Sequence, residues 1–182
     1  YLEFNNINII ESDCFKELIK LQILSLKSNQ ILEISNKLFR NLNNLLQLDL
    51  SKNHIELIES NSFNSFENLE TLNLESNNLS KIHGELFQNL AQLKIIKLNI
   101  NRIEYLSPNL FFNCTILEEL SIENNRFNLI DDNIDLLFSN LIKLKLLFLS
   151  ENSIQFLNEK LLKNTKQLRI LSLFGNKISN LS

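Results

Sequence analysis

Four side chains carry the chemistry of metal ligation or of thiol and imidazole catalysis: Cys14, Cys114, His54 and His83. A Cys/His zinc site would need all four in one place, and no H-E-x-x-H segment is present. Asp49, Ser51 and His54 lie close together and invite a Ser-His-Asp reading. On a strand Asp49 and Ser51 share a face within reach of His54, but no glycine-shaped oxyanion turn or second pocket wall accompanies them. They read as solvated surface. Asp131, Asp132 and Asp135 lack the spacing and the glycine of a calcium loop and read as a solvated loop. Gly84 and Gly175 are the only glycines, so neither G-x-G-x-x-G nor a phosphate loop can be written. These residues predict no catalytic group, no metal and no cofactor, and hence no enzyme.

Charge and hydropathy narrow the partners. The formal net charge of −3 and the absence of any Lys/Arg run predict no nucleic-acid binding. The most apolar stretch, Ile134–Leu149, is interrupted by Lys143 and Lys145 and is too short to span a bilayer. No membrane contact is expected within the segment, and any anchor would lie outside it. With no Met and no signal-like stretch at Tyr1–Ile10, the sequence reads as an excerpt of a longer chain.

The elements that could position any site come from a repeat. Leu and Asn number 40 and 30 of 182 residues, whereas Gly and Pro number two and one. Asparagine recurs at Asn5, Asn29, Asn53, Asn77, Asn101, Asn125, Asn152 and Asn176, with a spacing of 24 residues except for one interval of 27. Apolar residues stand three, five and eight positions before these asparagines, and two and five positions after them. Fourteen before stand Phe15, Phe39, Phe63, Phe87, Phe111 and Phe138, with Leu162 in the last full unit.

This pattern, L-x-x-L-x-L-x-x-N-x-L-x-x-L, resembles the leucine-rich repeat over essentially the whole chain. The 24-residue length with its Phe is similar to the typical subclass of Toll-type receptors, Slit-like and chaoptin-like proteins and small proteoglycans. Residues 1–182 are expected to form a single array of about 7.5 repeats without terminal caps, although solenoids need polar ones. The resemblance implies an α/β-type solenoid horseshoe with about eight short parallel strands on its concave side. The convex side is expected to be irregular or 3-10, with few true helices. It also implies an asparagine ladder along the turn and a protein or other macromolecular ligand on the concave face. An extracellular or cell-surface location follows from the same likeness, with an intracellular scaffold, a regulatory subunit or the sensing part of a receptor enzyme as alternatives.

The physics supports the pattern. L-x-L alternates with period two, so leucines point to one face and variable residues to the other. One unit cannot bury its leucines alone, but stacking at about 4.8 Å per strand makes them continuous. An amide side chain supplies donors and acceptors where the chain turns inward and its backbone loses water. The phenylalanines would stack as a second spine on the convex side, and turns satisfied by Asn and by stacking would explain the shortage of Gly and Pro. The three extra residues before Asn152 are expected near residues 131–135, on the convex side or its loop. Cys14 and Cys114 lie four repeat steps apart, about 19 Å, too far to bridge. Cys114 reads as a small buried hydrophobe and Cys14 as a half-buried free thiol. Asn78, Asn113 and Asn180 open N-x-S/T sequons, about the number that composition alone produces.

Individuality lies in the concave columns. Four and two positions before each asparagine the first six rows are polar or mixed in charge, apart from Tyr1. Lys97, flanked by the rows of Glu75 and Glu123, reads as part of a solubilising pair more readily than as a ligand clamp, and Lys97 and Glu123 stand among the candidate partner-binding residues. Phe148 and Phe174 break the pattern, with Leu146 and Ile170 beside them. They read either as an interaction hot spot or as apolar residues covered by further repeats or by one another.

Overall fold

The computed structural model describes residues 1–129, 134–157 and 159–181. Among the described residues eleven short strands occur in chain order: β1 (Ile23–Ser25), β2 (Glu33–Ile34), β3 (Gln47–Asp49), β4 (Leu57–Ile58), β5 (Thr71–Asn73), β6 (Ile95–Lys97), β7 (Glu119–Ser121), β8 (Leu146–Phe148), β9 (Phe156–Leu157), β10 (Ile170–Ser172) and β11 (Asn180–Leu181). Seven of them form one parallel sheet in the order β1-β3-β5-β6-β7-β8-β10. The register advances one repeat at a time, Leu24 opposite Leu48, Leu48 opposite Leu72 and Leu120 opposite Leu147. The central residue of six of the seven strands is buried, as period-two alternation requires. Leu171 in β10 is exposed.

The sheet has seven strands where eight are expected. The Tyr1–Phe4 segment donates two hydrogen bonds to the next coil, Leu2 N to Ser25 O at 2.8 Å and Phe4 N to Lys27 O at 3.0 Å. Two bonds given in one direction do not close a parallel ladder, so no strand forms there. Past the asparagine turn the chain makes two further parallel pairs, β2 with β4 and β9 with β11. Among the described residues helix is limited to two 3-10 turns, Ile134–Leu136 and Glu159–Leu162.

The core is a set of stacked columns that includes Leu26, Leu50, Leu74, Leu98, Ile122 and Leu149, all without solvent exposure. Two contributions escape sequence reading. Leu38, Leu86, Leu110, Leu137 and Leu161, fifteen before their asparagines, are buried as well. Phe66 is fully buried and packs its ring 5.3 Å from Phe39 and 5.4 Å from Phe63. The phenylalanine column makes ring contacts in runs: Phe15 stacked on Phe39 at 6.4 Å, Phe39 tilted against Phe63 at 6.2 Å, then Phe87 stacked on Phe111 at 5.8 Å. Phe138 is buried without a ring partner among the described residues. Leu137 is buried in its column, and Leu129 is buried although Leu57, Tyr105 and Phe156, likewise four after their asparagines, are exposed. Ile130, Asp131 and Asp132 lie outside the described residues.

Each turn passes through a left-handed residue immediately before the asparagine: Phe4, Ser28, Lys52, Ser76, Ile100, Asn124, Glu151 and Gly175, with φ between 53° and 67°. This conformation suits glycine, yet glycine fills one of the eight positions. The expectation that asparagine and stacking spare the chain glycine-type turns is therefore corrected. The turns have that geometry, and packing of the coils holds L-residues in it at a cost of about 1 to 2 kcal/mol each.

Candidate interaction face

Seven asparagines, from Asn29 to Asn176, hold the turns in one geometry. Asn101 Oδ1 accepts from Leu79 N of the preceding coil at 3.0 Å. Its Nδ2 donates to Leu74 O of that coil at 3.0 Å and to its own coil at Leu98 O, 3.1 Å, and Asn99 O, 3.2 Å. Asn152 keeps the pattern across the longer interval, through Phe127 N at 2.9 Å and Ile122 O at 2.8 Å. Asn5 has only bonds within its own segment, to Leu2 O and Glu3 O. Each amide thus ties two coils.

A second asparagine set, unrecognised in the sequence, lines the outside. Asn41, Asn89, Asn113, Asn140 and Asn164 each donate Nδ2 to a carbonyl of the preceding coil, for example Asn113 to Gln88 O at 2.6 Å and Asn164 to Ser139 O at 2.9 Å. Its signal is the same spacing, twelve residues before the inner ladder. An ion ladder borders the entry to the strands: Lys94 Nζ to Glu70 Oε1 at 2.9 Å, and Lys145 Nζ to Glu118 Oε2 at 2.8 Å. The hydrogen bond from Lys145 holds the Glu118 carboxyl below its ordinary range, aided by the charges of Lys94 and Arg169.

The concave face carries the residues singled out by the sequence. Phe148 is half-buried at the end of β8 and pairs in register with the small Ser172. Phe174 is 77% exposed and Ile170 48%, while Leu146 is half-buried. Among the described residues neither Phe148 nor Phe174 stacks on another ring. Lys97 does not pair with Glu75 or Glu123. Its Nζ lies 4.0 Å from Glu119 Oε1, because Glu119 leaves the adjacent strand two residues earlier on the same face. Glu123 is half-buried, and its backbone N donates to Asn99 Oδ1 at 2.8 Å.

The chemical candidates separate. Asp49 Oδ1 accepts from Ser51 N at 2.8 Å, a local turn bond, while Ser51 is buried and His54 is exposed beyond the ladder. No hydrogen bond joins His54 to either residue among the described residues, and no group of three His, Cys, Asp or Glu side chains is placed to hold a metal there. Cys114 is buried, and burial pushes its thiol up to about 12. Cys14 is exposed, where a half-buried thiol is expected. Its pKa is raised by residual burial and then by the Glu11 charge.

With the ladder, the core columns and the parallel sheet in place, the family comparison is decisive. The leucine rich repeat model matches residues 1–55, 19–79 and 67–127. The chain belongs to the leucine-rich repeat family. Similar solved structures include the TLR13-ssRNA13 complex, at 23% identity and a TM-score of 0.59, and a leucine-rich repeat protein of Leptospira interrogans, at 24% and 0.72. Each alignment covers 97% of this chain, but only 36% and 48% of those chains, so this array spans less than half of either. A search of curated proteins returns no significant match. A leucine-rich repeat array of this kind is a protein-interaction module: a rigid sheet with interchangeable surface residues. The expectation of no nucleic acid gains no support from the fold, because the TLR13 array is seen with RNA.

Proposed function

We propose that the concave sheet is the ligand-binding face of a receptor, adhesion or matrix protein displayed outside the cell, and that its ligand is a protein. The observation that carries the reading is the end of the sheet around Phe174. An aromatic ring 77% exposed, beside an exposed Ile170 and the half-buried Phe148 and Leu146, offers apolar area at one end of a face whose middle rows are mostly polar. Aromatic anchors of this kind supply most of the affinity of an interface. The 24-residue Phe-containing repeat supports the extracellular location through its likeness to receptor and proteoglycan arrays. The free thiols of Cys14 and Cys114 favour the second reading, an intracellular scaffold or regulatory subunit.

The test is affinity capture by the full-length protein, comparing the wild type with Phe148→Ser/Phe174→Ser and with an outward-facing control, Phe112→Ser. A protein retained by the wild type and the control but lost by the double variant supports the concave patch. Equal capture by all three refutes it.

A further inference from the structure

Ser25, Ser51, Ser121 and Ser150 of the concave face are buried and Ser172 is half-buried, and the hydroxyls of Ser25, Ser121, Ser150 and Ser172 differ in one respect. Ser121 Oγ donates to Asn99 Oδ1 at 2.6 Å, and Ser150 Oγ lies 2.6 Å from Ser172 Oγ. Ser25 Oγ is equally shielded, in a residue only 3% exposed, and among the described residues it is the buried side-chain oxygen that lacks a partner. A buried hydroxyl without a hydrogen bond is an unmet demand. Ser25 lines a trough of about 250 Å³ on the concave face, together with Tyr1, Glu3, Asp49, Asn73 and Lys97.

The surroundings specify what would meet that demand. Ser25 stands in register with Asp49, and Asp49 with Asn73. Asp49 Oδ1 is occupied by Ser51 N at 2.8 Å, whereas Oδ2 has only a long contact, 3.4 Å from Asn73 Nδ2, and keeps acceptor capacity. The concave columns carry the carboxylates of Glu3, Asp49, Glu75, Glu119 and Glu123 against the ammonium groups of Lys27 and Lys97. That excess of three negative charges equals the formal net charge of the whole chain, −3, so the remaining surface is balanced. Lys97 is already engaged with Glu119 at 4.0 Å.

We propose that this trough binds a basic peptide segment of the protein partner, with one ammonium or guanidinium group seated between Asp49 Oδ2 and Ser25 Oγ. The inference rests on the reading of the concave sheet as a protein-binding face and names the chemistry of what it takes. A cation there satisfies the unpaired hydroxyl and the free carboxylate lone pairs together. Lys97, engaged with Glu119, lines the far end of the trough.

The experiment measures binding of a fluorescein-labelled hexa-arginine peptide to the full chain by anisotropy, with a hexa-uridine RNA as the opposite-charge probe. The peptide binds and the RNA does not. Asp49→Asn weakens the peptide about tenfold, as loss of a charge-assisted bond requires. Ser25→Ala weakens it about threefold while leaving the unfolding midpoint unchanged or higher, an outcome that a merely structural hydroxyl would not give. The control Glu56→Gln/Glu85→Gln removes two exposed carboxylates elsewhere and changes affinity less than twofold. Equal weakening by that control, or tighter binding of the RNA, overturns the proposal. A captured partner that is lost with Phe174→Ser but held equally by Asp49→Asn also overturns it, and leaves the protein-binding face standing.

Discussion

Asn101 Nδ2 donates to the carbonyl of Leu74, 27 residues earlier and 3.0 Å away, and so adds a side-chain tie to the backbone bonds that join the two coils there, Ser76 N to Asn99 O at 2.9 Å and Arg102 N to Leu79 O at 2.8 Å. The same amide accepts from Leu79 N on that coil. One side chain therefore satisfies a buried donor and a buried acceptor of its neighbour. Hydrophobic stacking alone cannot do this, because apolar contacts leave backbone groups dry and unpaired.

Asn101→Ala is expected to cost about 1 to 3 kcal/mol, since it orphans the Leu79 amide where water does not reach, while the Leu74 carbonyl keeps its bond from Asn77 Nδ2 at 3.1 Å. Asn5→Ala, which breaks only exposed bonds within its own segment, is expected to cost less than about 1 kcal/mol. Urea unfolding followed by circular dichroism compares the two. Similar midpoints would contradict the bridging role.

Ile100 sits at φ 53° with its side chain 51% exposed, so a β-branched residue bears left-handed strain with little burial in return. Ile100→Gly is expected to stabilise the chain by about 0.5 to 1 kcal/mol, the relieved strain less the extra backbone entropy of glycine. Gly175→Ala has the opposite sign, at about 1 kcal/mol, because φ is 67° and the added methyl presses on the Glu151 carboxylate. The shift of the thermal midpoint in each variant gives the sign directly.

The two thiols are expected to react separately. At pH 8 a chromogenic disulfide reagent should modify one thiol per native chain, Cys14, and a second only after denaturation, because burial keeps Cys114 protonated up to about 12. Since the Cys14 pKa is also raised, its rate should climb through pH 9 and above, and Glu11→Gln should accelerate it by removing a like charge. Two equivalents released by the native chain would refute this account.

Much of the fold was legible because it is written in translation. A residue type repeated every 24 positions places itself in the same environment in every coil, so Leu48, Leu72 and Ile96 announced a buried strand centre together. Phe66 was missed because its column is otherwise filled by leucine, cysteine or threonine, and a single aromatic carries no period. The outer asparagines have a period, but serine interrupts it at Ser65, and exposed amides resemble ordinary solvated loop residues. The left-handed turns were invisible for a different reason: no shared residue type marks them, and Phe4, Lys52 and Ile100 disfavour the geometry they adopt.

The candidate site divides in the same way. Phe174 stood out in sequence because aromatic residues are foreign to its column. The partner of Lys97 did not, since a lysine reaches diagonally as easily as straight across, and only side-chain packing selected Glu119 over Glu75 and Glu123. The unpaired Ser25 hydroxyl was likewise undetectable, because every concave serine looks alike until its neighbours are in place.

The sequence by itself determined the repeat, the stacked apolar columns and the face on which variable residues stand, because these follow from periods of 2 and 24 and from the need to bury leucine. The tertiary structure alone decided where backbone strain is held, which polar groups pair between coils and which hydroxyl remains unpaired. Those depend on distances of a few tenths of an ångström between residues far apart in the chain, which no pattern of residue types encodes.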